Sequence, residues 1–293
     1  MITVGIPTYN EGKVIANCLY SILKQIDEKD EIIVVASGCT DNTPAEVARI
    51  RDMDKRVKLF IESERRGKSS AINIIIKNAK SDIIVQTDGD VIIGENSINL
   101  IKEHFKNPEV GGVSGCPVPI IPKNNIFYDW TIMSYKKADE LRKKEFQERN
   151  FWHLSGYLCA FRKKALPEVP FAKGAVDALM GYLIKKNGYN IIYEPGAKVF
   201  VKAPTNVRDF IRQKARVRAG FYFLNKNFRQ QPRTVKPEVF YFPREIIKIK
   251  IYRWPAFFFS AFIYAYSWIK GYFFYKKNKS LYEIWKPAHS TKH

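Results

Sequence analysis

Two aspartates stand one residue apart in the stretch QTDGDVII (86–93), directly after an apolar run at 83–85. Carboxylates this close repel each other unless a positive charge lies near both of them. Carboxylate oxygens are ligands that Mg²⁺ and Mn²⁺ prefer, and Mg²⁺ completes its shell with water and substrate phosphates. Asp88 and Asp90 are therefore candidate ligands of a divalent cation that bridges to a diphosphate. An ordinary Asp-Gly turn is the alternative.

Two further segments carry residue types that bind phosphate. In ERRGKSSAIN, Lys68 follows a glycine at the start of a predicted helix, where backbone N–H groups and a lysine attract phosphate. In RDFIRQKARVRAG, Gln213, Arg216 and Arg218 lie on a predicted basic helix. With Arg212, spacings of three and four put some of them on one face, and guanidinium groups bind phosphate bidentately. The sequence favours a diphosphate clamp and a merely solvated basic surface about equally for both segments.

One carboxylate is a candidate general base. Asp177 lies in KGAVDALMGYLIKK, near the first turn of an otherwise apolar predicted helix. A positioned carboxylate can accept a proton from a reacting hydroxyl, although an acid at this place also complements the helix dipole. His153, next to Trp152, is expected to be structural or to line an acceptor site rather than to bind metal.

Strand-like and helical segments alternate through the first half of the chain and position these residues. Predicted strands cover 2–6, 31–35, 57–61, 82–86 and 110–114, and predicted helices cover 12–24, 43–52, 68–79 and 95–106. This alternation predicts an α/β fold, a mostly parallel sheet with helices on both faces. Ligands of such sheets bind beyond the carboxyl ends of the strands. Polar clusters occur there at 7–11, 37–41, 63–68 and 88–90, which predicts one shared site.

The second half of the chain is less regular. A charged helix is predicted at 127–148, a strand in HLSGYLCAF, and a helix that follows Gly174 or Ala175 and ends near Gly188. The stretch YNIIYEPGAKVFV (189–201) predicts a hairpin because Pro-Gly marks a turn, and 207–225 predicts a basic helix. Three prolines, Pro232, Pro237 and Pro243, predict an extended connector over 230–245.

Charge and aromatic residues are concentrated at the C-terminal end. The chain of 293 residues carries a net charge of +20, of which +16 falls between Lys202 and the last residue. Of 41 aromatic residues, 22 lie at or after Phe221. This mixture suits an anionic membrane surface better than nucleic acid, and no nucleic-acid partner is expected. The four cysteines lack metal-ligand spacing and are expected to be reduced thiols, and no signal peptide is expected before the first strand.

The most apolar stretch is WPAFFFSAFIYAYSWIKGYFFY (254–275). It is long enough for a helix that crosses a bilayer, but its many Tyr and Trp residues prefer the interface. Ser260, Tyr264, Ser267 and Gly271 form a less apolar stripe. The sequence therefore favours a helix in or on the membrane surface over a span, and the remaining alternative is an aromatic helix packed on the catalytic domain.

Taken together, these motifs resemble the inverting family 2 glycosyltransferases, which have the GT-A fold. The resemblance runs from VGIPTYNEG to RQKARVRAGF and includes PTYNE, ERRGKSSAIN, the Asp-x-Asp motif and LSGYLCAFRKKAL. It implies a Rossmann-like α/β catalytic domain over 1–225 and a basic, aromatic, membrane-associated helical segment over 226–293. It also implies Mg²⁺ or Mn²⁺ as the cofactor.

The resemblance assigns roles to individual residues. Asp177 matches the catalytic base, and Asp88 and Asp90 match the metal ligands. The residues implied for nucleotide-sugar binding are Pro7, Thr8, Glu11, Ser37, Lys68, Asp88, Gln213 and Arg216. Three departures stand out: Ala36-Ser37-Gly38-Cys39 replaces Asp-Asp-Gly-Ser, Val176 precedes Asp177 where the family has Glu, and Val217 replaces the tryptophan after Arg216.

The implied function is transfer of a sugar from a nucleotide-diphosphate donor to an acceptor hydroxyl or phosphate, with inversion. The expected acceptor is lipid-linked or a glycan, and the expected location is the cytoplasmic face of the cell membrane. A non-catalytic, membrane-attached nucleotide-sugar binder or scaffold is the alternative, because some family acids are missing. The sugar, the nucleotide and the acceptor remain open.

Overall fold

The computed structural model of this chain describes residues 1–172, 174–228, 246–247, 249–277 and 289–291. The strands are β1 Thr3–Thr8, β2 Glu31–Ser37, β3 Val57–Glu62, β4 Ile83–Thr87, β5 Val91–Ile93, β6 Val110–Ile120, β7 Leu158–Arg162 and β8 Asn190–Lys202. The helices are α1 Ile15–Leu23, α2 Thr43–Met53, α3 Lys68–Asn78, α4 Ser97–His104, α5 Tyr128–Gln147, α6 Val176–Lys186, α7 Val207–Phe228 and α8 Trp254–Lys276, with 3-10 turns at Ile251–Arg253 and His289–Thr291. The predicted connector over 230–245 lies outside the described residues.

The described strands form one sheet in the order β3-β2-β1-β4-β7-β6-β8-β5. Strands β1 to β4 are parallel to one another, as the alternation of strands and helices predicts. Strand β7 is antiparallel to both of its neighbours, β4 and β6, and β5 is antiparallel to β8, whereas β6 and β8 are parallel. Parallel pairings are in the majority, which confirms the predicted sheet and helices of an α/β fold.

Helices cover both faces of the parallel strands. The sequence of β2 explains why, because its apolar side chains are buried on both faces. Ile32 and Val34 pack in the core that contains residues of α1 and α2. Ile33 and Val35 alternate to the opposite face and pack in the core that contains residues of α3. All residues of β2 are buried, so a continuous apolar run replaces the polar–apolar alternation of a half-exposed strand.

The prediction of a hairpin at 189–201 is wrong. These residues lie in one continuous strand, β8, which is parallel to β6 on both sides of the Pro-Gly pair. Ser114 is paired with Tyr193 and Cys116 with Lys198. Between these two pairs β8 advances by five residues, whereas β6 advances by two. The Pro-Gly pair therefore produces an irregularity inside the strand and not a reversal of direction. The short strand β5 is a further element that the sequence analysis missed.

Helix α8 confirms the predicted helix over 254–275 and packs against α7 and α5. Ser260, Ser267 and Gly271 are buried on its inner face, so the less apolar stripe faces the protein. A Cβ atom added at Gly271 would lie 2.8 Å from the carbonyl oxygen of Ala215 on α7, which shows how closely the two helices approach. Within the described part of the chain, no helix has both the length and the hydropathy needed to cross a bilayer.

Candidate active site

One cavity lies at the carboxyl ends of the parallel strands, and we call it the rim cavity. β1 contributes Pro7 and Thr8, β2 ends at Ser37, and Asp88 follows β4 directly. The convergence of these strand ends therefore brings together side chains far apart in the sequence, as predicted. The sequence-predicted residues that line it are Pro7, Thr8, Glu11, Ser37, Lys68, Asp88, Asp90, Gln213 and Arg216.

Lys68 holds the first carboxylate of the Asp-Gly-Asp stretch. Its Nζ, at the first residue of α3, donates a hydrogen bond of 2.6 Å to Oδ1 of Asp88 and one of 3.4 Å to the carbonyl oxygen of Gly156. Burial opposes the charge of Lys68, but the nearby carboxylates of Asp88 and Asp177 outweigh it and raise the pKa of the lysine. Lys68 is therefore a fixed cation in the rim cavity.

The glycine between the two aspartates is required by Glu11. A Cβ atom added at Gly89 would lie 2.3 Å from Oε2 of Glu11. That same oxygen accepts a hydrogen bond of 2.7 Å from the Thr8 hydroxyl, and Glu11 is only 9% exposed. A third carboxylate is thereby held against the backbone between Asp88 and Asp90. The spacing in the sequence thus has a steric cause that only the structure reveals.

The residues present fit an open site for a divalent cation. Glu11, Asp88 and Asp90 all line the rim cavity, and carboxylate oxygens are the preferred ligands of Mg²⁺ and Mn²⁺. Among the residues that the structure describes, no three His, Cys, Asp or Glu side chains form a group that could hold a metal ion by themselves. Mg²⁺ commonly binds through one or two carboxylates and takes its other ligands from water and phosphates. Asp90, with Asp88 beside it, fits such a role.

Asp177 lies in a second cavity, which we call the helix cavity because α5, α7 and α8 form much of its wall. Asp177 occupies the first turn of α6, as predicted, and a Cβ atom added at Gly156 would lie 3.3 Å from its carboxyl carbon. Burial is the main reason that the pKa of Asp177 is raised; Lys68 opposes the shift and Asp88 adds to it. A carboxyl group with a raised pKa is a stronger base than an ordinary aspartate.

The two cavities meet at a shared wall made of Tyr157 and Gln213, which line both of them. The candidate metal ligands Asp88 and Asp90, together with Lys68 and Arg216, lie on one side of this wall. The candidate base, Asp177, lies on the other side, in the larger cavity of about 310 Å³ compared with about 170 Å³ for the rim cavity. A molecule in the rim cavity and one in the helix cavity would thus have their closest approach at this wall.

The predicted basic clamp on α7 is divided between the two cavities. Arg216 lines the rim cavity, where burial lowers its pKa while Tyr157 and the carboxylates of Asp88 and Asp90 oppose that effect. An arginine remains a cation at neutral pH even so. Arg218 lines the helix cavity instead, where its guanidinium stacks on the ring of Trp268 at 3.7 Å. The basic residues of α7 therefore line two cavities and not one.

Several lining residues were missed by the sequence analysis. In the rim cavity, the guanidinium of Arg65 stacks on the ring of Tyr9 at 3.8 Å, and Lys202 also contributes to the wall. Gly38 has a φ of +61°, and a Cβ atom there would lie 2.5 Å from the backbone nitrogen of Arg65. The basic pair before Gly67 was the signal that could have identified Arg65. His153, expected to be structural or to line an acceptor site, lines the helix cavity.

The ends of parallel strands meet at one cavity that carboxylates, a lysine and an arginine line, and the candidate base lies beyond its wall. This arrangement is typical of a glycosyltransferase with a GT-A fold. Residues 3–169 match the family described as Glycosyl transferase family 2, and the chain belongs to that family. The family resemblance seen in the sequence motifs is thereby confirmed.

Relatives and solved structures agree with this assignment. The poly-beta-1,6-N-acetyl-D-glucosamine synthase of Staphylococcus aureus (strain COL) is 27% identical over 224 residues, 75% of this chain and 54% of that protein. The synthase of the same name from Staphylococcus epidermidis is 28% identical over 219 residues, 72% of this chain and 52% of that protein. The chain therefore spans about half the length of the curated relatives it matches.

Mannosyltransferase PcManGT from Pyrobaculum calidifontis, solved in complex with GDP-Man and Mn²⁺, has a similar fold. The two structures superpose with a TM-score of 0.71 at 22% identity, over 95% of this chain and 88% of that chain. This likeness confirms the GT-A fold expected from the sequence motifs.

Proposed function

We propose that this chain transfers a sugar from a nucleotide-diphosphate donor to an acceptor hydroxyl, with inversion at the anomeric carbon. The donor binds in the rim cavity and the acceptor in the helix cavity. The observation that carries this proposal is the shared wall of Tyr157 and Gln213, which has the candidate metal ligands and Lys68 on one side and the candidate base Asp177 on the other.

The rim cavity has the charges that a nucleoside diphosphate requires. Lys68 and Arg216 supply fixed cations, and Asp90 and Asp88 would hold Mg²⁺ or Mn²⁺. Such a cation, when bound, neutralises charge that develops on the departing diphosphate. Ser37, which is buried and has an Oγ without a hydrogen-bond partner among the described residues, lies at the end of β2 where the nucleoside would extend.

The helix cavity supplies the other half of the reaction. Asp177 accepts the proton of the acceptor hydroxyl as its oxygen attacks the anomeric carbon from the face opposite the diphosphate. The bond between the anomeric carbon and the diphosphate oxygen breaks, and its electron pair leaves with the nucleoside diphosphate. A single displacement of this kind inverts the configuration, and the raised pKa of Asp177 suits it to the proton transfer.

The acceptor belongs to the lipid-linked or glycan class, and the chain works at the cytoplasmic face of the cell membrane. Helix α8 supports this placement, because its outer face exposes a stripe of large apolar side chains beside several cations. The stripe comprises Phe258, Phe262, Tyr266, Ile269 and Phe273. Exposed aromatic residues with flanking lysines are typical of a helix that binds an anionic membrane surface.

The experiment that tests the reaction uses the purified chain with a panel of nucleotide-diphosphate sugars and either Mg²⁺ or Mn²⁺. Release of nucleoside diphosphate measures turnover, and thermal shift measures donor binding. Asp90→Ala is expected to abolish both turnover and the cation-dependent shift. Asp177→Asn is expected to keep the shift and to lose about 10²–10⁴-fold in turnover, the range for a general base.

The matched control is Asp52→Asn, an exposed aspartate of α2 paired with Arg51. It is expected to behave as the wild type in both measurements. A donor-induced thermal shift without turnover in the wild-type chain under all these conditions would instead support the non-catalytic binder.

A further inference from the structure

The helix cavity is more positive than its proposed role in holding a base and a hydroxyl requires. Asp177 is its only carboxylate among the described lining residues, whereas four cationic side chains line the same walls: Lys137, Arg142, Lys214 and Arg218. The rim cavity, by comparison, has three carboxylates against four cations among its described lining. The excess of positive charge is therefore on the acceptor side of the shared wall.

Two of these four side chains have a buried nitrogen atom whose surroundings indicate that the cavity binds a ligand. The Nε atoms of Arg142 and Arg218 are buried and have no hydrogen-bond partner among the described residues. Lys137, in contrast, donates a hydrogen bond of 2.8 Å to Glu140. Buried donors in folded proteins are nearly always satisfied, so two arginines in this state at one cavity favour an anion as the occupant.

A buried hydroxyl in the same cavity makes a second, independent observation. Ser155 is 3% exposed, lines the helix cavity, and has an Oγ without a hydrogen-bond partner in the part of the chain that the structure describes. It precedes Gly156, the residue against which the Asp177 carboxyl group lies. The unsatisfied hydroxyl and the candidate base thus line the same cavity, where the reacting end of an acceptor would be held.

Aromatic rings form the remaining walls and orient one of the arginines. Trp130 of α5 lies 5.1 Å from Tyr264 of α8, ring centre to ring centre, and both line the cavity. Arg218 stacks on Trp268 at 3.7 Å and lies 5.0 Å from the ring of Tyr222. The N–H groups of a stacked guanidinium lie in a plane parallel to the aromatic ring. In that plane they can donate hydrogen bonds to an oxyanion.

We infer that the acceptor carries a phosphate group, bound by Arg142 and Arg218, in addition to the hydroxyl that Asp177 deprotonates. Guanidinium groups match the geometry of phosphate, and aromatic walls bind the apolar faces of sugars or a lipid chain. This inference rests on the proposed function, because it assigns the acceptor of the same reaction. The phosphate can belong to a lipid-linked acceptor or to a soluble sugar phosphate.

The test is a binding measurement that does not depend on turnover. The full chain, with UDP or GDP and Mn²⁺ added to occupy the rim cavity, is titrated with citronellyl phosphate, glucose 6-phosphate, citronellol and glucose. Binding is followed by tryptophan fluorescence, since Trp130 and Trp268 line the helix cavity. The phosphate esters are expected to bind at least about tenfold more tightly than their neutral partners, the effect of one charge-assisted hydrogen bond.

Variants assign the binding to the two arginines. Arg142→Gln and Arg218→Gln are each expected to weaken binding of the phosphate esters by about tenfold or more and to leave the neutral compounds unchanged. Arg208→Gln is the matched control, because Arg208 is an exposed arginine of α7 that lies outside the described lining of the cavity. Tighter binding of citronellyl phosphate identifies a lipid source, and tighter binding of glucose 6-phosphate identifies a soluble one.

Equal binding of esters and neutral compounds, or equal binding of inorganic phosphate and the esters, would overturn the inference. So would esters that bind the Arg142 and Arg218 variants as well as they bind the wild type. Donor turnover that depends on Asp90 would then still stand, so this failure is distinct from failure of the proposed function. Conversely, phosphate-ester binding with no turnover on any donor would overturn the assignment of the bound molecule as an acceptor.

Discussion

At the scale of single residues, the reactivity of the site depends on three charges that share one neighbourhood. Asp177 has a raised pKa because it is buried, and Lys68 lowers that pKa while Asp88 raises it. Lys68 in turn donates its hydrogen bond to Asp88. The pKa of Asp177, the proposed base, is therefore lowered by a lysine whose direct partner is a different carboxylate.

This arrangement predicts the pH dependence of transfer. Asp177 must be deprotonated to act as a base, so kcat/KM should fall as the pH drops through its raised pKa, above the usual range of an aspartate. In Lys68→Gln, the cation that lowers this pKa is lost, and the acid limb of the pH profile should move to higher pH. The measurement is kcat/KM against pH for the wild type and the variant.

Lys58→Gln is the control for this profile, because Lys58 pairs with Glu31 away from both cavities. It removes the same charge and should leave the position of the acid limb unchanged. An acid limb that stays in place in Lys68→Gln would show that another group controls the profile.

Single residues were also the best-predicted part of the site. The predicted donor-side residues follow parallel strands or begin the next helix, and the carboxyl ends of such strands must converge. Pro7, Ser37 and Asp88 could be placed on this ground alone. The stack of Arg65 on Tyr9 could not, because it depends on the positive φ of Gly38, for which the sequence offers several possible conformations.

At the scale of elements, the close packing of α7 and α8 determines the shape of the helix cavity. Arg218 on α7 and Trp268 on α8 both line it, and their stacking requires the two helices to stay in contact. Gly271 permits that contact, because a Cβ atom there would lie 2.8 Å from the Ala215 carbonyl and 2.9 Å from the Arg218 Cβ.

Gly271→Leu should therefore separate α8 from α7. We expect a loss of about 1–3 kcal/mol in the free energy of unfolding, the usual effect of overpacking, although leucine favours a helix more than glycine does. Thermal or denaturant unfolding measures the change. Ala265→Leu, at an exposed position of the same helix, is the control and should leave stability within about 0.5 kcal/mol of the wild type. Equal stability of the two variants would contradict this view of the interface.

The elements of the second half were harder to predict than those of the first. The pair Pro195-Gly196 has the composition of a turn, and only its pairing partner β6 shows that β8 continues through it. The inner face of α8 was also difficult to predict, because Ser260 and Ser267 belong to the less apolar stripe of an otherwise apolar helix. In the structure their hydroxyls bond to backbone carbonyls, which satisfies them in a buried position.

At the scale of the whole molecule, charge and apolar surface lie on the same C-terminal part. The outer stripe of α8 exposes Phe262 at 69% and Ile269 at 57%, and Lys276 and Lys277 follow at the end of the helix. A large exposed apolar surface marks an interaction site, and the neighbouring cations make an anionic bilayer its proposed partner. The helix cavity has α8 as one wall, so the proposed lipid-linked acceptor would reach it from that bilayer.

This placement predicts selective binding to anionic vesicles. The full chain should sediment with vesicles that contain phosphatidylglycerol, more weakly with phosphatidylcholine alone, and less as salt rises, because screening weakens the attraction. The triple variant Phe258→Ser, Phe262→Ser, Ile269→Ser should lose most of the binding. Met53→Ser, at an apolar residue of α2 that is 70% exposed, is the control and should bind as the wild type does. Unchanged sedimentation of the triple variant would remove α8 as the contact.

The hydrogen bond from Lys68 to Asp88 has one more consequence if the rim cavity holds a nucleoside diphosphate. Before the donor arrives, each of these two ions already has the other as its counterion. With a donor and its cation bound, Lys68 would have a phosphate as its counterion, and Asp88 would be one of the side chains that hold the cation. Each of the two side chains would thus have an opposite charge beside it both with and without the donor, which avoids the cost of an unpaired charge in the cavity.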